Sequence, residues 1–207
     1  MQEKLDRMPP QRILRTSANP EQQERAIIAA ATDEFARVGV RRANIDDVAK
    51  RSGVSRSTLY RRFPNKDELL LAVVRDATGV ILQRLVTVTD NLSPQQAVIE
   101  VFCAALQEVR TNPLLARLVT SEPDIFESLL GFVNPGLDSI LESVATTGAQ
   151  TLRRLGATML EKDLRTATEL QIRLTTSLLS APSRVINLDN EAAAREFATK
   201  FLASMIW

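Results

Sequence analysis

Apolar residues recur along this chain at the three- and four-residue spacing typical of helices, and no segment alternates convincingly in the two-residue period of a strand. The first clear apolar stripe runs from Ile27 to Val38. Asn19 and Pro20 precede it as a cap and a first helical residue, and Gly39 follows it as a terminator. The pattern therefore predicts an all-α protein whose first helix begins near residue 20.

The same signals divide the rest of the chain. Residues 1–18 lack a sustained apolar period and contain two consecutive prolines, so we expect a flexible N-terminal arm there. Further helices are predicted to begin at or just after Asn44, Ser55, Asn65, Ser93, Pro113, Pro123 and Pro135, with a long amphipathic helix from Glu161 and a last helix from Asn190 to near Trp207.

Charge is distributed unevenly along these predicted helices. The whole chain has a formal net charge of +1, but residues 1–66 carry 14 Lys or Arg against 8 Asp or Glu, and residues 67–207 carry 12 against 17. A basic N-terminal third on an acidic remainder indicates a module that meets a polyanion, although a solvated basic face would give the same count.

The basic third contains the pattern helix, glycine turn, short helix in "NIDDVAKRSGVSRSTLYRRF", residues 44–63. Gly53 permits the left-handed backbone of the turn, and Val48, Ala49 and Leu59 supply a small core between the helices. This is the pattern of a helix-turn-helix, whose second helix enters the major groove of DNA. The DNA-binding residues predicted from this pattern are Ser55, Arg56, Ser57, Thr58, Tyr60, Arg61 and Lys66.

Side-chain chemistry supports a nucleic-acid role for this set. Arg56 projects from the first turn of the second helix, and an arginine there can bind guanine O6 and N7 with two hydrogen bonds. Hydroxyls and tyrosine can bind phosphates, and Lys66 lies beside the N-terminus of the next helix, where a phosphate is a natural partner.

The stretch "RRANIDDVAKRSGVSRSTLYRRFPNKDELLLAVV" resembles the DNA-binding domain of the TetR family of bacterial transcriptional regulators, over about residues 20–75. The resemblance implies a helix-turn-helix DNA-binding domain at 19–65 and a helical regulatory and dimerisation domain at 66–207. It also implies that the helix after Ser55 reads the major groove and that Asn44 and Arg62 belong to the DNA-binding residues. Many family members carry an aromatic residue or histidine where Arg62 stands, so the role of this extra cation is open.

The resemblance further implies three partners: a double-stranded DNA operator, a second copy of the chain, and a small-molecule effector. Dimerisation would use the last two helices, whose apolar stripes also suit a core within one chain. Repression released by the effector is the expected mode. The candidate ligand-binding residues, on the helix from Ser93 and beyond it, are Phe102, Cys103, Leu106, Gln107, Phe126 and Phe132.

Composition argues against an enzyme. The chain has no histidine, which removes the commonest general base and metal ligand, and its one cysteine cannot form a thiolate metal cluster. No window matches a glycine-rich phosphate loop, and no apolar run reaches the ~20 residues of a membrane span. We therefore expect a cytoplasmic protein without catalytic residues, metal or cofactor. The alternative is a helical adaptor that binds proteins without specific DNA binding.

Overall fold

The computed structural model describes residues 19–129 and 140–207, and within these residues the chain is helical and contains no strand. The α-helices there are α1 Pro20–Val38, α2 Ile45–Ser52, α3 Arg56–Arg62, α4 Lys66–Thr87, α5 Pro94–Thr111, α6 Pro113–Ser121, α7 Pro123–Leu129, α8 Ile140–Arg154, α9 Glu161–Ser180 and α10 Glu191–Phe197. A π-helical turn, Ala198–Leu202, and a 3-10 turn, Ala203–Met205, follow α10.

Polar side chains cap most of these helices where the sequence predicts them. The side-chain oxygen of Asn44 accepts a hydrogen bond from Asp46 N at 2.9 Å, and that of Asn65 accepts from Glu68 N at 2.8 Å. Each bond satisfies one of the N–H groups that a helix start leaves unpaired. Equivalent caps at the predicted starts are formed by Asn19, Ser55, Ser93 and Asn190.

Buried apolar residues form two clusters. The first joins α1–α4 and continues into α6, α7 and the start of α8, through Leu114, Leu118, Leu129 and Ile140. The second joins α5, α8 and α9 to α10 and the C-terminal turns. Helices α6 and α7 therefore pack directly on the predicted DNA-binding domain, although the expected domain boundary at residue 65 would place them in the regulatory part.

Three of the predicted elements differ in the structure or lie outside the residues it describes. The last helix is not continuous, because regular α-helix ends at Phe197 and two irregular turns follow. The chain end is held to the turn after α8, where Thr158 N and Met159 N donate to the Trp207 carbonyl at 3.0 and 3.2 Å. The N-terminal arm at 1–18 and the helix start at Pro135 are outside the described residues. Within 19–129 and 140–207, no helix is both long and apolar enough to cross a membrane.

Candidate nucleic-acid interface and internal cavity

The turn between α2 and α3 is set by Gly53. Its φ and ψ are 70° and 16°, and its N–H bonds the carbonyls of the last turn of α2. Val48 and Leu59 are 0% and 1% exposed, so the inner faces of the two helices are fixed against α1. This packing leaves the opposite face of α3 in solvent, as the helix-turn-helix pattern predicts.

The exposed face of α3 is rich in hydroxyl groups. Ser55 caps the helix by accepting from Thr58 N at 3.1 Å, and its Oγ lies 3.0 Å from Ser57 Oγ and 2.8 Å from Thr58 Oγ1. Tyr60 is 42% exposed on the same helix. These groups form one polar surface on the first two turns of α3, and hydroxyls of this kind bind phosphates well.

Arg56 and Arg61 are the cations that α3 presents to solvent. The Arg56 Nε lies 2.6 Å from Asp46 Oδ1, and its side chain remains 67% exposed. Arg61 is exposed and has no ion-pair partner within 19–129 or 140–207. The structure thus places both guanidinium groups where an approaching polyanion can reach them.

Arg62 lies differently from the other predicted DNA-binding residues. Its side chain is only 19% exposed, and its terminal nitrogens lie 3.2 Å from Glu24 Oε2 and 3.5 Å from Gln23 Oε1 on α1. The structure therefore gives Arg62 a packing role between α3 and α1.

Lys66 and Asn44 also have partners inside the protein. The Lys66 Nζ donates to the carbonyls of Val40 and Arg41 at 3.0 and 3.2 Å, which ties the start of α4 to the turn between α1 and α2. Asn44 uses its side-chain oxygen as the α2 cap. An ammonium has three N–H donors, so one donor of Lys66 is left for a further acceptor.

A cavity of about 280 Å³ lies between α4, α5, α8 and α9, with α6 and α7 at one end. Its walls are mostly apolar and include Phe102 and Phe126. The polar groups that line it are mainly threonines, namely Thr78, Thr89, Thr147, Thr151, Thr168, Thr175 and Thr176, together with Gln171 and Glu108. An apolar chamber with a few hydroxyls is typical of small-molecule sites.

The six candidate ligand-binding residues do not share one site. Phe102 and Phe126 line the cavity, whereas Cys103, Leu106 and Gln107 line a separate recess between α5 and α10. Phe132 lies outside the described residues. Helical periodicity explains the division, since positions 103 and 107 lie on a different face of α5 from the cavity-lining positions 101, 102 and 105.

The recess is occupied by an ion pair. Arg195 donates to Glu100 Oε1 and Oε2 at 2.5 and 3.0 Å, and this bond holds the pKa of Glu100 below its ordinary value. Burial raises the pKa of the Cys103 thiol. Arg110 donates to the Leu188 carbonyl. Two polar side chains on this face of α5, Glu100 and Arg110, are thus engaged by α10 and the segment before it.

The predicted dimer stripe on α9 divides into a buried part and an exposed part. Leu164 and Ala167 are 0% and 5% exposed and belong to the core of one chain. Leu170 and Leu174 are each 45% exposed, and Phe201 is 54% exposed. Gln171 Nε2 donates to the Leu202 carbonyl at 3.1 Å, so α9 and the C-terminal turns lie side by side. We call the surface formed by Leu170, Leu174 and Phe201 the apolar strip.

Comparison with protein families agrees with this arrangement. Residues 27–73, which span most of α1 and all of α2 and α3, match the model of "Bacterial regulatory proteins, tetR family". This segment of the chain is therefore similar to the DNA-binding domain of the TetR family. The chain is 28% identical to the regulator RutR of Escherichia coli K12 over 120 residues, which are 56% of this chain and 57% of RutR. The chain therefore matches little more than half the length of this relative.

Other TetR-type relatives match over different lengths. The uncharacterised regulator Rv1255c of Mycobacterium tuberculosis is 27% identical over 182 residues, 87% of this chain and 83% of that protein. The activator FasR of Mycolicibacterium smegmatis is 36% identical over 80 residues, 37% of this chain and 36% of that protein. These relatives are named as transcriptional regulators.

Solved structures of TetR-type proteins share the fold. The repressor AlkX from Dietzia sp. superposes with a TM-score of 0.67 at 19% identity, covering 91% of this chain and 96% of AlkX. RolR in complex with resorcinol superposes with a TM-score of 0.61 at 18% identity, covering 90% and 88%. The all-α TetR architecture predicted for the chain is confirmed.

Sequence reasoning missed several residues of this TetR-type fold. The threonines on α8 and α9 were not recognised as cavity lining, because a threonine on a helix gives no signal of which side faces a chamber. Glu122 and Arg117 were also missed. Glu122 stands just before Pro123, a position that indicates a helix boundary but not that its carboxylate is buried against α1.

Proposed function

We propose that the chain is a homodimeric repressor that binds a palindromic operator through α3 and is released by an apolar small molecule. The observation that supports DNA reading is the exposed face of α3, where Arg56 pairs with Asp46 beside exposed hydroxyl groups. An arginine at the first turn of a recognition helix is well placed for base edges. Tyr60, Arg61 and one donor of Lys66 supply phosphate contacts.

Dimerisation follows from the apolar strip and from the shortness of α3. One seven-residue helix reads few base pairs, and two-fold symmetry doubles the site. The strip is apolar, exposed and formed by two adjacent segments, which suits a self-complementary interface. In the proposed dimer, α9 and the C-terminal segment of one copy pack against the same elements of the second copy.

Effector binding is supported by the cavity. Its lining is largely apolar, and Glu108 is its one charged residue among those described, paired with Arg84 at 2.8 Å. An anionic ligand is therefore disfavoured, and an uncharged ligand with a hydroxyl or carbonyl for the threonines is favoured. RolR was crystallised with resorcinol, a small uncharged aromatic diol, which gives a precedent in the same fold.

The test begins with the full chain and random DNA duplexes. Selection of bound sequences is expected to give one operator with two half-sites related by two-fold symmetry, and affinity is expected to fall steeply with salt. Selection without any preferred sequence, or binding that is insensitive to salt, would favour the adaptor alternative. Sedimentation of the complex should give two chains per operator.

Effector release is tested with N-phenyl-1-naphthylamine, an uncharged apolar dye that fluoresces when bound. We expect the dye to bind the protein and to weaken operator binding by roughly 5- to 150-fold. Ala105→Phe places a ring in the cavity and should abolish dye binding, whereas Ala104→Phe, on the recess side of α5, is the matched control and should not. Dye binding that survives Ala105→Phe would place the effector elsewhere.

A further inference from the structure

A buried carboxylate from the regulatory part grips the turn between α1 and α2. Glu122 is 6% exposed at the corner between α6 and α7. Its Oε2 accepts from Val40 N at 2.8 Å and its Oε1 accepts from Arg41 N at 3.0 Å. Both oxygens of one side chain are thus committed to two consecutive N–H groups of the DNA-binding part, 81 and 82 residues away in sequence.

Arg117, one helical turn before Glu122, complements this grip. Its Nε donates to the Ala36 carbonyl at 2.8 Å and a terminal nitrogen donates to the Arg37 carbonyl at 3.2 Å. Arg117 therefore donates to carbonyls that the end of α1 leaves unpaired, while Glu122 accepts from the N–H groups just beyond that end. We call Arg117 and Glu122 the corner pair.

The turn itself is shaped to admit the carboxylate. Gly39 has φ +86°, and a Cβ placed on it would lie 3.2 Å from both carboxylate oxygens of Glu122. On the other side of the turn, Lys66 donates to the carbonyls of Val40 and Arg41, the same two residues whose N–H groups Glu122 binds. The turn is thus clamped between α4 and the α6–α7 corner.

Residues on either side of the corner line the cavity wall. Leu115 and Phe126 line the cavity and flank the corner pair in sequence. Phe126 N donates to the Glu122 carbonyl at 3.1 Å, so the backbone of the cavity-lining ring and that of the gripping acid are joined directly. A ligand that displaces the helices carrying Leu115 and Phe126 would move the corner, and Glu122 ties the corner to the turn after α1.

We propose that Glu122 is the positioning residue that transmits occupancy of the cavity to the DNA-binding helices. The inference rests on the proposed effector release and specifies its route. An empty cavity leaves the corner pair seated on the turn and the α1–α3 unit in its DNA-binding orientation. A filled cavity shifts the corner, and Glu122 carries the shift to Val40 and Arg41. The ligand acts only through its different affinity for these two arrangements.

The test compares the dye effect on operator affinity in three forms of the full chain. Glu122→Gln keeps one acceptor oxygen but turns an NH2 group towards the second N–H, which breaks the two-point grip. Asp124→Asn is the matched control, because Asp124 pairs with Arg41 at the surface, with both side chains 62% exposed. Dye affinity is measured by fluorescence in free protein, and operator affinity by anisotropy with and without dye.

We expect wild type and Asp124→Asn to show the same 5- to 150-fold weakening by N-phenyl-1-naphthylamine. Glu122→Gln should bind dye in the free state within about two-fold of wild type, yet lose most of the weakening, so that the factor falls towards one. Reciprocity requires that operator DNA then also ceases to weaken dye binding. If the dye weakened operator binding of Glu122→Gln as much as that of wild type, the inference would be overturned and effector release would stand.

Other outcomes are equally decisive. If bound dye left the operator affinity of wild type unchanged, effector release itself would be overturned, and with it the proposed role of Glu122. Should Glu122→Gln fail to fold, Arg117→Lys is the second variant. It keeps the positive charge but weakens the bonds to the end of α1, and the dye should then weaken its operator binding less than in wild type. The inference would be overturned if the dye weakened operator binding of Arg117→Lys as much as that of wild type, with hydrogen exchange at Val40 and Arg41 as slow as in wild type.

Discussion

The Nε of Arg56, the first residue of α3, lies 2.6 Å from Oδ1 of Asp46 in the first turn of α2. Because the Arg56 side chain is 67% exposed, this pair adds little to the free energy of unfolding. Its consequence is geometric, since it holds the guanidinium beside α2 while the side chain stays exposed. Specificity is therefore expected to depend on both residues.

Arg56→Ala should relax base preference at one position of each half-site and cost about 1–3 kcal/mol for the selected operator. Asp46→Ala should have a different effect, because it removes a negative charge near the DNA as well as the support of Arg56. We expect tighter binding to random duplexes and a smaller ratio of specific to non-specific affinity. Both are measured against single-base operator variants. Retention of the full ratio in Asp46→Ala would show that Arg56 needs no support.

Much of the local structure could be predicted because it depends on residues close in sequence. The caps at Asn44, Ser55 and Asn65 and the left-handed turn at Gly53 each need only a few neighbouring residues. Arg62 could not be assigned in this way. Its partner Glu24 is 38 residues away, and only the packing of α3 on α1 brings the two together.

The same limit applies to the candidate ligand site. The spacing of Cys103, Gln107 and Arg110 shows that they share a face of α5, but it does not show what that face meets. In the structure α10 and the preceding segment cover it, and the cavity opens from the other face. The grip of Glu122 on Val40 was likewise invisible, because a contact over 82 residues leaves no periodic signal.

Lys66→Ala tests a residue that has both structural and DNA-binding roles. Loss of its bonds to the Val40 and Arg41 carbonyls should lower the free energy of unfolding by about 1–3 kcal/mol. Loss of its third donor should weaken binding to all duplexes alike and reduce the salt slope by about one unit. Chemical denaturation and a salt series measure the two effects separately. A changed preference among operator variants would contradict the phosphate assignment.

Leu174→Glu places a charge in the centre of the apolar strip and should convert the dimer to monomers at micromolar concentration. Operator affinity should fall with it, because a single α3 makes half of the contacts. Val185→Glu is the matched control, as Val185 is 93% exposed and lies outside the strip. Sedimentation velocity measures both variants. A dimeric Leu174→Glu, or a monomeric control, would show that the interface lies elsewhere.

Gly53→Ala and Gly79→Ala should change stability in opposite directions, although no neighbouring atom would touch the added methyl in either case. Gly53 has φ +70°, where an alanine costs about 1–2 kcal/mol, so the variant should unfold more readily. Gly79 lies inside α4, where alanine is favoured by about 0.5–1 kcal/mol. Thermal unfolding of both variants measures the difference. Since Gly53 also sets the angle between α2 and α3, its variant should lose operator affinity even at temperatures where it is folded, whereas Gly79→Ala should bind as wild type does. Equal operator affinity in the two variants would mean that this turn does not orient α3.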